Sequence, residues 1–368
     1  MSDFKKPNYE YITDEARLKE VVAKELTGKK MLAVDVEGTG LDPHLSELVL
    51  VQVSTPEKAY LVDVQKVPLE PLRKVLESKG VLKILQNGKF DYGMIKAKFG
   101  IELINIFDTM LAERVLTVGI SRENSLGAIA QKYLDLKLDK DWESYDWEGV
   151  LRSGKFTKRH FKYAALDVLI LFPIFEKQFA ALKKEGLVKI AQLEFAVLPV
   201  VAEMELRGSY IDVKKWQVHI RELEQKRNEV ARKIQSEVRP LYRNHQVDLF
   251  GNQVDVINLN SQPQLMELFN DRLGLTVPST GEAVLSRVNH PMAKMLLEYR
   301  GYAKLISAFG ENLLSKINSK TGRLHPDYMQ IGADTGRFSC SNPNLQQIPT
   351  DSAFRSCFIA PPGYKLVV

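Results

Sequence analysis

The stretch MLAVDVEGTGLDP, residues 31–43, decides how this sequence reads. Met31, Leu32, Ala33 and Val34 form an apolar run that predicts a buried strand. That strand ends in Asp35 and Glu37, with glycines close behind. Two carboxylates side by side at the end of a hydrophobic strand are costly unless a cation sits between them. The question is where the other ligands of that cation lie.

Working outward, KMLAVDVEGTG, ELVLVQVST and KAYLVDV are β-branched runs separated by Gly, Pro and Ser turns, as in a meandering half-sheet. Helix and strand signals then alternate: LEPLRKVLESKG reads as helix, VLKILQN as strand, KFDYGMIKAKFG as helix, and INIFDTMLAERVL as strand running into helix. This alternation predicts an α/β domain, a mixed sheet flanked by helices, reaching to about residue 185. Residues 188–243 instead carry long helical periodicity. Trp216, Ile220, Leu223, Val230, Ile234, Val238 and Leu241 form an apolar stripe, with Lys and Arg crowding the remaining faces. Such a basic face is either simply solvated or follows phosphates. A short helix capped by Ser261 and a long amphipathic helix beginning at His290 come next.

Bulk composition narrows the classes. A chain of 368 residues is long enough for two or three domains with their own cores. No apolar run approaches the ~20 residues of a membrane span, and the N-terminus has no apolar signal core. Cys340 and Cys357 make neither a disulfide framework nor a zinc pattern, which fits a reducing cytoplasm. The net charge of +5 permits a polyanionic partner without requiring one.

Two further acids stand out. LQNGKFDYGM places Asp91 just after a strand, at the start of a helix with Phe90, Met94 and Ile95 on its apolar face. FKYAALDVLILF places Asp167 in an otherwise apolar helix, with Tyr163 one turn earlier on the same side. Taken singly, Asp91 suits a helix N-terminus, Asp167 suits a salt bridge, and Asp35 and Glu37 suit a turn. Their order is far more specific: a strand with DxE, then NxxxFD, then YxxxD. Carboxylates around paired divalent cations are a recurrent arrangement for cleaving phosphodiesters.

This order of motifs resembles the 3′–5′ exonucleases of the DEDD superfamily, in the subgroup with a tyrosine in the third motif, over residues 28–185. The resemblance implies a ribonuclease H-like fold and two Mg²⁺ ions, with Mn²⁺ able to substitute. Asp35 would bridge both ions, Glu37 and Asp167 would complete the site of the nucleophilic water, and Asp91 would support the second ion through water. Tyr163 would orient the attacking water. Leu41 and Asn87 match positions that hold the 3′-terminal nucleotides, the leucine as a wedge between bases. KDWESYDWEGVLRSGKFTKRHF is similar to an element of ribonuclease D-like members, where Trp142, Tyr145 or Trp147 either stacks on a base or packs.

The second half resembles the thumb and early palm of family A DNA polymerases, the bacterial DNA polymerase I group. LEFAVLPVVAEMELRGSYIDV begins the likeness and TGRFSCSNPNLQQIP, residues 335–349, carries it most strongly. There Arg337, Asn344, Gln346 and Gln347 would contact primer and template, and Arg355 would lie near the duplex. Cys340 and Gln347 depart from the usual serine and asparagine. The implied organisation is a lead-in over residues 1–27, an exonuclease domain over 28–185, and a mainly helical thumb and partial palm over 186–368. By the same likeness the palm aspartates and the fingers fall outside this chain, so the expectation is a partial product with the exonuclease complete. The expected activity is removal of nucleoside 5′-monophosphates from DNA 3′ ends in proofreading. Expected partners are a single-stranded DNA 3′ end and primer–template duplex, with a monomeric chain and no membrane. RNA trimming of the ribonuclease D type and a non-catalytic primer–template-binding fragment are the alternatives.

Overall fold

The computed structural model describes residues 6–138, 146–242 and 255–366. They form two compact units: Met1–Gly208 with Asn318–Gln346, and Ser209–Ile317 with Gln347–Val368.

The first unit is built on a six-stranded mixed sheet: β1 (Tyr9–Ile12), β2 (Met31–Gly38), β3 (Leu48–Ser54), β4 (Ala59–Asp63), β5 (Leu82–Leu85) and β6 (Ile106–Asp108). Their spatial order is β1-β4-β3-β2-β5-β6. The meander expected from the sequence is present: β2, β3 and β4 pair antiparallel in succession. β5 and β6 continue from β2 in parallel. The outer strand β1 pairs parallel with β4, so residues expected to be only a lead-in are part of the sheet.

Helices cover the sheet. α1 (Gly88–Phe99) starts directly after β5, where Asn87 takes a left-handed turn at φ 59°. α2 (Lys158–Leu169) opens with a capping box between Thr157 and His160 and packs across β2, β3 and β4. Ala164, Ala165 and Val168 form its buried face. α3 (Val188–Arg207) packs on α1. A hairpin of β7 (Asp327–Met329) and β8 (Ser339–Ser341) completes the unit.

Two local expectations differ from the structure. LEPLRKVLESKG is only a 3₁₀ turn, Glu70–Leu72, and a single helical turn, Arg73–Leu76. Pro71 lies in that first turn and Gly80 ends the segment before β5. Ser261 stands at a helix N-terminus but its side chain makes no capping bond. Pro263, two residues on, lacks one of the N–H groups such a cap would bind. Trp142 and Tyr145 lie outside the described residues, whereas Trp147 is buried with Val49 and Val150 against Tyr163.

In the second unit, α4 (Val213–Val238) packs along α5 (Pro291–Phe309). Asp212 caps α4 by accepting from the Lys215 N–H. The predicted stripe from Trp216 to Val238 is its buried face, and the Trp216 indole donates to the Phe309 carbonyl at 2.7 Å. Among the described residues no helix is long and apolar enough to cross a membrane.

Candidate active site

Asp35 and Glu37 are two residues apart on β2 and therefore project from the same face of the sheet. α2 lies over that face and delivers Asp167. One carboxylate oxygen from each of Asp35, Glu37 and Asp167 falls within 4.8 Å of the others. Asp91, in the first turn of α1, is only 1% exposed. It is not a member of that three-acid group, yet its charge acts on Glu37 and is acted on by Asp35.

Electrostatics follow from this crowding. Burial pushes the Asp35 carboxyl up to about 7, with the Val36 N–H partly opposing it. Burial also raises Glu37 well above the usual carboxylate range, helped by the charges of Asp35, Asp167 and Asp91. Asp91 is raised by burial and then by Asp35. Tyr163, one turn before Asp167, has its phenol raised by burial and then by the charges of Asp167, Glu37 and Asp35. Glu37 Oε1 and Asp91 Oδ1 are buried without a hydrogen-bond partner. Clustered acids, two of them with buried oxygens that lack partners, are the ligand set of a hard divalent cation. The residues fit such a group.

The proposed strand-holding residues lie in the loop after β2 and at the start of α1. Leu41 is 85% exposed, so it is not a core leucine. Leu41 and Asn87 line a cavity of about 480 Å³ together with Phe90, Met110, Arg114 and Met329. The residues expected at primer and template fall in both units. Arg337 and Gln346 are exposed and Asn344 is half-buried in the first; Gln347 and Arg355 are exposed in the second. Sequence reasoning passed over Lys89, whose ammonium donates to Glu205 Oε1, Asp327 Oδ1 and the Tyr328 carbonyl, each at 2.6 Å. Its signal was its position between Asn87 and Asp91.

The fold and this acidic cluster define a 3′–5′ exonuclease domain. A family model described as "3'-5' exonuclease" matches residues 9–182, and one described as "DNA polymerase family A" matches residues 221–368. The chain thus carries one region that matches a 3'-5' exonuclease model and a second that matches a family A DNA polymerase model. It is similar to DNA polymerase I of Aquifex aeolicus, 30% identical across 98% of this chain and 61% of that protein. DNA polymerase I of Pseudomonas aeruginosa is 29% identical across 98% of this chain and 41% of that protein. The chain thus spans less than two thirds of the length of these relatives. Among solved structures, the POL domain of Pol1 from M. smegmatis, in complex with DNA primer-template and dNTP, shares the fold. Its TM-score is 0.76 at 21% identity, over 96% of this chain and 59% of that one.

Proposed function

We propose that this chain is a 3′–5′ exodeoxyribonuclease that removes nucleoside 5′-monophosphates from DNA 3′ ends, as the proofreading part of a DNA-directed DNA polymerase. The observation that carries the reading is the convergence of Asp35, Glu37 and Asp167, with Asp91 close by, around buried oxygens that lack partners. Asp35, Glu37, Asp167 and Asp91 would hold a pair of Mg²⁺ ions, with Mn²⁺ as a substitute. When bound, such ions activate water and stabilise charge on the departing 3′-oxygen.

The chain's own residues supply position. The Tyr163 phenol stays protonated at neutral pH, because burial and the surrounding acids raise it. It can therefore fix a water by hydrogen bonding but does not remove its proton. Leu41, exposed in the loop after β2, would part the last two bases, and the Asn87 amide would hold the terminal nucleotide. Arg337, Asn344, Gln346, Gln347 and Arg355 would serve primer and template, and the exposed Arg221, Lys226, Arg232 and Lys233 of α4 a duplex backbone. Among the described residues none of these four cations is in an ion pair, and Arg232 Nε donates to the Asn228 carbonyl of its own helix at 3.3 Å.

The test is degradation of matched single-stranded DNA and RNA, labelled at the 5′ end, with Mg²⁺ and with EDTA. DNA shortened from its 3′ end with release of deoxynucleoside 5′-monophosphates is the expected result, abolished by EDTA. Preference for RNA would assign the chain to ribonuclease D-type trimming. Inertness toward both would leave only a primer–template-binding role.

A further inference from the structure

Residues Asn318–Gln330 lie within the match to DNA polymerase family A, yet they belong to the compact unit that carries the acidic cluster. They touch both pieces of chain that bear the strand-holding residues. One is the loop after β2. Asn318 Nδ2 donates to Asp42 Oδ2 at 2.7 Å, and Lys320 Nζ donates to the His44 carbonyl at 3.0 Å. The His44 and His325 rings lie 4.4 Å apart. His325 is itself fixed: Nδ1–H donates to the Glu205 carbonyl at 2.6 Å, so Nε2 accepts from the Thr321 hydroxyl at 2.7 Å. The other piece is the start of α1, where Lys89 reaches Asp327 and the Tyr328 carbonyl.

Leu41 has almost no packing of its own, so its placement depends on Asp42, the next residue. Asp42 closes its own turn, its carbonyl accepting from Leu45 and Ser46 and its Oδ1 from the His44 N–H. Its remaining oxygen is the one that meets Asn318. Asn318 in turn uses Oδ1 to accept from the Lys320 and Thr321 N–H groups, which leaves its amide nitrogen for Asp42.

We propose that Asn318–Gln330 is a positioning segment for the exonuclease. It holds the Leu41 loop and the Asn87–Asp91 helix start at one separation, and so sets the grip on the 3′-terminal nucleotides. This rests on the exonuclease reading above. The segment is thereby a route by which the polymerase-type half of the sequence governs the nuclease site without contributing a ligand to it.

The Asp42–Asn318 pair permits a reciprocal test. Asp42→Asn alone sets two amides against each other, and Asn318→Asp alone sets two carboxylates against each other. In the double variant D42N/N318D every bond can reform. The amide introduced at position 42 donates to the carboxylate introduced at position 318, while both positions keep an oxygen for their turn bonds. Each single variant is expected to raise KM on a short single-stranded DNA about tenfold. Their kcat should stay within about twofold, and their Mn²⁺ affinity, measured by titration without DNA, should be unchanged. The double variant should return KM to near the wild-type value. Single variants that lower the melting temperature but leave KM alone would overturn the proposal, as would a double variant that restores melting but not KM. A wild-type protein inert toward DNA would sink the exonuclease reading itself, and this proposal with it.

Discussion

Gln52 stands directly across the sheet from Asp35 in the β2–β3 register. Paired residues on antiparallel strands share a face, with Cβ atoms about 5 Å apart. The Gln52 amide is fully buried and both of its polar atoms lack partners. Leaving such groups unsatisfied costs stability, about 1–3 kcal/mol each. Gln52→Leu should therefore raise metal-free stability by about 1 kcal/mol in urea unfolding. The same change should slow the nuclease several-fold, since it strips the amide from beside Asp35. A variant that is less stable than wild type would show that the amide is satisfied in solution.

Asp35 and Tyr163 should separate in kinetics. Asp35→Ala removes the carboxylate that faces both neighbouring acids, and Mg²⁺-dependent degradation should fall by about 10⁴-fold or more while circular dichroism stays unchanged. Tyr163→Phe removes only a hydroxyl that holds water, and the loss should be about 10²-fold. Equal losses from the two changes would assign Tyr163 a larger part than positioning.

The acids were legible in the sequence because their surroundings are apolar: Asp167 among Ala164, Ala165 and Val168 stands out without any knowledge of the fold. The β2–β4 meander was legible from its β-branched runs. β1 was not, because only Ile12 of its four residues is buried, and an outer strand that short carries almost no alternation. The bond between Asp42 and Asn318 joins residues 276 positions apart, and neither residue type signals it locally. Gln52 was visible as a lone amide in LVLVQVS, but its meaning depends on the register that sets it opposite Asp35.

Lys83 offers a pH prediction away from the acidic cluster. It lies fully buried on β5 and donates to the Ser78 and Val81 carbonyls at 2.7 and 2.8 Å. Burial pushes its ammonium down to about 8 from an ordinary 10.5. Below pH 8 the folded and unfolded chains are both charged there, and the cost of burying the ammonium is fully present. Between pH 8 and 10.5 the folded chain sheds the proton while the unfolded chain keeps it, so stability rises relative to a variant without the group. Comparing wild type with Lys83→Met by urea unfolding, the difference should move in favour of wild type by about 2 kcal/mol between pH 7.5 and pH 10. A pH-independent difference would show that the ammonium is hydrated.

The basic face of α4 can be tested separately from the nuclease. Arg232 and Lys233 are exposed on the side of the helix away from Ile234 and Val238, so removing both charges should alter stability by less than about 0.5 kcal/mol. If they track a duplex backbone, R232A/K233A should weaken primer–template binding and lower the slope of log affinity against log salt by about 2, one for each phosphate no longer neutralised. Degradation of a short single-stranded DNA should be unaffected, because the acids, Leu41 and Asn87 all lie in the other compact unit. An unchanged salt slope would mean that this face is merely solvated, the reading its charge pattern also allowed.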